Sequence, residues 1–146
     1  MTEKQLTSSA CHCINLRRAA NAVSQYYDHM LQPSGLTVNQ YSILSNIRKI
    51  EPCSVTELAE KTRLDRTTLV RNLKPMFACG WIVDEAKPGN RRNRIHITES
   101  GLEKIQTCKI LWQSAQQELE NRIGRAKLDA LTSCLLELER LGLEDL

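Results

Sequence analysis

The chain has 146 residues, 41% hydrophobic but only 4% aromatic, which suits one aliphatic helical core and argues against a sandwich or barrel. With 20 Lys and Arg against 17 Asp and Glu, the net charge of +3 is too small to signal nucleic acid by itself. No apolar run could span a bilayer and no basic-then-apolar leader is visible, so a cytoplasmic protein without a membrane partner is expected, its six cysteines reduced.

From about Ser9 to Leu31, the residues Cys13, Leu16, Ala20, Val23, Tyr27 and Met30 recur along one helical face. Gln32-Pro33-Ser34-Gly35 ends that run. Thr37 caps a second predicted helix through Ile50, with Tyr41, Leu44 and Ile47 as its inner stripe and Glu51-Pro52 as its stop.

Ser54 then opens a short helix, Val55–Thr62, and Glu57 three residues on completes a capping box. Leu64 fills a turn, and Asp65 caps the next helix at its positive dipole end. Leu69, Leu73 and Met76 fall at core spacing, which directs Arg66, Thr67, Thr68, Arg71 and Lys74 outward. Gly80 is the expected stop, and Pro75 is expected to bend or loosen the last turn. Trp81–Ala86 and Arg94–Thr98 read as two strands around a Lys87-Pro88-Gly89-Asn90 turn, with Ile95 and Ile97 inward and Arg94 and His96 outward. Met76, Phe77 and Trp81 are expected to join helix and hairpin by packing.

Thr98 is the expected cap of a long helix carrying Leu102, Ile105, Leu111, Ala115, Leu119 and Ile123. Gly124 breaks it before a last helix with Leu128, Leu131, Leu135, Leu138 and Leu141. These end helices hold more apolar surface than a small winged domain can cover, and a two-fold homodimer is the simplest closure.

The fold class predicted is mainly α with a small β-hairpin wing: a winged helix-turn-helix with N- and C-terminal dimerisation helices. One domain spans 1–146, with a DNA-binding lobe at about 37–98 and dimerisation helices at about 9–31 and 99–142. Charge supports double-stranded DNA as the partner. From Lys61 to Thr98, nine basic residues (Lys61, Arg63, Arg66, Arg71, Lys74, Lys87, Arg91, Arg92, Arg94) meet only three acids, Asp65, Asp84 and Glu85. Helix, turn, second helix and basic hairpin form a reader whose second helix fits a major groove. Arg66, Thr67, Thr68 and Arg71 are the candidates for base edges. Lys74, Arg92 and Arg94, with Ser54 and Thr56, suit phosphates, and Arg91 suits the minor groove. The alternative is a winged-helix module that docks protein.

Leu64-Asp65-Arg66-Thr67-Thr68-Leu69, Gly80-Trp81-Ile82, Arg91, Ile95-His96-Ile97-Thr98 and Gly101, in this order, resemble the MarR family of bacterial transcriptional regulators over nearly the whole chain. The resemblance implies an obligate homodimer that binds pseudo-palindromic operators, usually as a repressor, and is released by a small-molecule effector or an oxidant. The family's wing commonly carries an acid where this chain has Gly89, which implies a more mobile wing. Cys13 lies where the organic-hydroperoxide sensors of this family carry a reactive cysteine. Tyr27 matches one of their partner tyrosines, while the other position is Val38. A thiol-based peroxide or redox sensor is therefore the alternative to ligand binding.

Arg17, Arg18, Tyr26, Tyr27 and His29 could line a ligand pocket between helices. Cys11-His12-Cys13 offers zinc donors, but successive helical residues diverge and nothing completes a tetrahedral set, so no metal is expected. Cys53, Cys79, Cys108 and Cys134 read as packing thiols. No Gly-rich phosphate loop, nucleophile elbow or convergent carboxylate pair is present, so neither enzyme activity nor a cofactor is expected.

Overall fold

The structure is a computed structural model that describes residues 5–90 and 92–144. Among the described residues, six α-helices and one hairpin follow in order: α1 His12–Leu31, α2 Val38–Ile50, α3 Val55–Thr62, α4 Arg66–Ala78, β1 Ile82–Asp84, β2 Ile95–Ile97, α5 Glu99–Ile123 and α6 Arg125–Glu139. Short 3-10 turns follow α1 (Gln32–Ser34) and α6 (Arg140–Gly142).

The helix starts are chemically encoded. Thr37 and Ser54 both form complete capping boxes, with Gln40 and Glu57 respectively. The Thr98 hydroxyl oxygen accepts the Gly101 N–H at 3.1 Å and its own proton goes to the Gly80 carbonyl at 2.6 Å, so one side chain caps α5 and ties it to the end of α4. Each such cap stabilises its helix by about 1 kcal/mol. The stops are equally local. Gly80, at φ 73°, donates to the Phe77 carbonyl while Trp81 donates to Met76, the paired bonds of a Schellman motif. Pro75 does not break α4, which stays α-helical through Ala78.

The core gathers one face of each inner element: Ile43, Leu44 and Ile47 from α2, Leu58 from α3, Leu69, Leu73 and Met76 from α4, Ile95 from β2, and Ile105 and Cys108 from α5. The strands are shorter than expected, three residues each, and pair antiparallel with Ile82 opposite Ile97 and Asp84 opposite Ile95. A third contributor is Cys53, whose backbone exchanges two hydrogen bonds with Ile95 at 3.1 and 2.8 Å. Asn90 donates to the Lys87 carbonyl with Gly89 at φ 90°, so Pro88-Gly89 forms the expected turn, with glycine where a left-handed residue is required.

The outer helices behave differently. On α1 only Tyr27 and Leu31 are buried, whereas Cys13, Leu16, Ala20 and Val23 on the expected inner face are exposed. No residue of α6 is buried. Cys79 and Cys134 are exposed in the single chain, whereas Cys53 and Cys108 are buried as expected. Phe77 is also exposed, because α4 turns it away from the hairpin that Met76 and Trp81 pack against.

Candidate nucleic-acid interface

Burial of Leu69, Leu73 and Met76 fixes the rotation of α4 about its axis. The opposite face is therefore determined by the 3.6-residue repeat, and Arg66, Thr67, Val70, Arg71 and Lys74 stand on it exposed. Val70 was not singled out in the sequence, although it lies three residues after Thr67 and four after Arg66. It is 47% exposed in the middle of a cationic and hydroxyl face. Its methyl groups offer the apolar contact that a thymine methyl accepts.

The N-terminal end of α4 is well organised. Asp65 accepts the Thr68 N–H at 2.8 Å and the Thr68 hydroxyl at 2.6 Å. Those bonds, the hydroxyl's first, hold the Asp65 carboxyl below the usual carboxylate range. Thr68 is consequently half-buried and turned toward its cap, leaving Thr67 as the freer of the two hydroxyls. Arg66 leans over α3, with Nη1 at 3.5 Å from the Thr56 hydroxyl oxygen, which brings the exposed Thr56 beside the reading face.

Ser54 caps α3 as expected: its hydroxyl oxygen accepts the Glu57 N–H and its own N–H donates to the Glu57 carboxylate. It is only 5% exposed, so the exposed Thr56 is the more accessible hydroxyl at this helix start.

In the hairpin, Arg92 and Arg94 are exposed, and Arg91 lies outside the described residues. Arg92 Nη2 stands 3.6 Å from Glu57 Oε1, a loose pair across solvent that ties the wing to the start of α3. His96 is half-buried, with Nε2 at 3.2 Å from Glu85 Oε2. Asp84 was not recognised in the sequence as a structural group. Its Oδ1 accepts the N–H groups of Ala86 and Arg94, both at 2.9 Å, and its Oδ2 accepts the Asn93 side-chain amide at 2.7 Å. The Asn93 bond leads the causes that hold the Asp84 carboxyl below its ordinary range. An acid amid so many cations was the available signal.

Behind the reading face, Arg63 occupies the α3–α4 turn in a left-handed conformation, φ 56°, and pairs with Glu139 near the end of α6 at 2.7 Å. A cleft of about 870 Å³ opens beside this pair, with Leu64, Leu136 and Leu143 on its walls and Arg140 at its edge. Tyr27 donates its hydroxyl proton to Gln116 on α5. Cys13 is fourteen residues earlier on α1, about 21 Å along the axis, so one chain does not bring the two together. Among the described residues, no group of three or more His, Cys, Asp or Glu is placed to hold a metal ion, and no helix is long and apolar enough to cross a membrane.

The MarR family profile matches residues 36–93, the span from the approach to α2 to the hairpin. The structure of the Mycobacterium tuberculosis transcriptional regulator MosR in complex with DNA is 33% identical, with 90% of this chain and 97% of that one covered at a TM-score of 0.77. The transcriptional repressor CouR, bound to a 23-mer DNA duplex, is 25% identical over 94% of this chain and all of its own, with a TM-score of 0.80. A mutant of E. coli MarR complexed with operator DNA shares the fold at 22% identity and a TM-score of 0.74, covering 90% of this chain and 99% of that one. With the reading helix, the wing and the flanking helices all in place, the chain belongs to the MarR family of winged helix-turn-helix transcriptional regulators.

Proposed function

We propose that this regulator is a cytoplasmic homodimer that binds a pseudo-palindromic operator, represses transcription, and leaves the DNA when a small-molecule effector binds. The observation that carries the reading is the outward face of α4, where Arg66, Thr67, Arg71 and Lys74 all stand exposed, as do Arg92 and Arg94 of the hairpin. The DNA complexes of the similar MosR and CouR structures support it. Arg66, Thr67, Thr68 and Arg71 read base edges in the major groove, while Lys74, Arg92, Arg94 and Thr56 hold phosphates. Arg91 takes the minor groove.

The unburied α6, with Leu131, Leu135 and Leu138 all exposed, supports dimerisation through the helices at both ends of the chain. A dimer places two reading helices on two half-sites. The cleft beside Arg63 and Glu139 is the best-placed seat for an effector, since it joins the α3–α4 turn to α6. An occupant there would shift the reading helix against the dimer helices.

Selection from random duplexes, followed by affinity measurements over a salt series, tests the reading. Enrichment of an inverted repeat with steep salt dependence is expected; weak, salt-insensitive binding would instead indicate a module that docks protein. Sedimentation of wild type and of Leu135→Glu tests the dimer, and single chains for wild type would refute it. The second reading, thiol sensing, is favoured by the exposure of Cys13 at the start of α1. Peroxide-induced release that dithiothreitol reverses and Cys13→Ser abolishes would establish it.

A further inference from the structure

We infer that Asp84 is a positioning residue for DNA binding: its carboxylate clamps the base of the wing and so aims Arg92 and Arg94. This rests on the DNA-binding reading above and assigns a role to a group outside the contact surface. A carboxylate beside a surface that meets phosphates is electrostatically unfavourable, because it repels the ligand at every sequence. Its presence needs a compensating task, and the geometry supplies one.

Among the described residues, the three hydrogen bonds that Asp84 accepts all come from neutral donors. Oδ1 takes the N–H groups of Ala86 and Arg94, and Oδ2 takes the Asn93 side-chain amide. No guanidinium among the described residues is paired with Asp84, so it draws on the charge of neither Arg92 nor Arg94; the carboxylate near Arg92 is that of Glu57, a loose pair at 3.6 Å. The two bonds to Asn93 and Arg94 reach from the end of β1 to the chain entering β2. Arg94 is then held at both backbone groups, since its carbonyl accepts the Glu85 N–H at 2.9 Å. One residue further, Ile95 is anchored to Cys53 from the other side. The returning arm of the wing thus has its position and orientation fixed where it leaves the loop, with Arg92 just two residues before the clamped Arg94. Strands of three residues supply too few ladder bonds to do this alone.

The clamp and simple charge repulsion predict opposite signs for Asp84→Ala. Loss of a repelling charge would tighten binding to every duplex. Loss of the clamp weakens binding by about tenfold, the scale of a charge-assisted hydrogen bond, on the selected operator and on random duplex alike, because Arg92 and Arg94 meet phosphates. Asn93→Ala should weaken operator binding less, and the double variant should be no weaker than Asp84→Ala alone. Tighter or unchanged operator binding by Asp84→Ala, or additive losses in the double variant, would overturn the inference. Hydrogen exchange on the free protein gives a readout independent of DNA: the Arg94 amide should exchange at least about tenfold faster in Asp84→Ala, with thermal midpoints matched by CD. Unchanged exchange at Arg94 would also overturn it. If wild type binds no duplex, the DNA-binding reading fails, and the exchange rates alone decide whether the clamp exists.

Discussion

The carbonyl oxygen of Trp81 occupies the space that a side chain on Gly101 would need: a Cβ built on Gly101 falls well inside contact distance of it. This glycine is required for close approach and not for backbone freedom. The same carbonyl accepts the Thr98 N–H at 3.0 Å, so the start of α5 presses directly on the start of the hairpin.

Gly101→Ala should therefore destabilise the protein by about 2 kcal/mol, within the usual range for overpacking a tight contact. Urea denaturation monitored by CD should show a lower midpoint with little change in slope. A midpoint equal to wild type would mean that α5 and the hairpin are not in contact.

Acid stability should depend on Asp65. Its carboxyl is held below the usual range in the folded chain by the Thr68 hydroxyl and then the Thr68 N–H. Such a group stabilises the fold fully above its ordinary unfolded value, near pH 4, and loses that contribution as pH falls through the lower folded value. Asp65→Asn should flatten the acid limb of the thermal midpoint plotted against pH. An acid limb as steep as wild type would remove Asp65 from that role.

The reading face should separate into positions that read sequence and positions that hold the backbone. Arg71→Ala is expected to cost about 1–3 kcal/mol at one operator base pair and to relax preference there. Lys74→Ala should weaken all sequences alike and reduce the salt slope by about one. Affinities unchanged by both substitutions would place α4 outside the groove.

Val70 adds a prediction that needs no charge. Replacing each operator thymine by uracil deletes one methyl group, and at the position Val70 covers the loss should be about 0.8 kcal/mol, roughly fourfold. In Val70→Ala the same replacement should have little effect. A full loss retained in that variant would assign the methyl contact to another residue.

Thiol reactivity should follow burial. Burial pushes the Cys53 thiol up to about 11, helped by Glu57 and Glu51, and burial also raises Cys108. Iodoacetamide at pH 8 should modify the exposed Cys79 readily and reach Cys53 and Cys108 only on unfolding. Labelling of Cys53 in the folded protein would contradict its place in the core.

What the sequence made legible was mostly local. Ser54 with Glu57, Asp65, Gly80, Thr98 and Gly124 each act within one helical turn, and all mark the boundaries that the structure has. The rotation of α4 followed from three apolar residues. Contacts between distant segments were not legible. The Arg63–Glu139 pair, the Cys53–Ile95 bridge and the Asn93–Asp84 bond depend on how elements meet in space, which periodicity does not encode. Ser54 illustrates the same limit, since a good capping residue can be buried by the very box it forms. On α1 the apolar repeat shows that a face needs cover without showing which chain provides it.

The bareness of α6 has a consequence for dosage. Fifteen residues are a marginal length for a helix alone in water, so this arm depends on what packs against it. Under the dimer reading, dilution would unravel the arm along with the assembly, and occupancy of a paired half-site would fall with roughly the square of chain concentration. A cell holding few copies would then respond to small changes in synthesis as a threshold, before any effector is present.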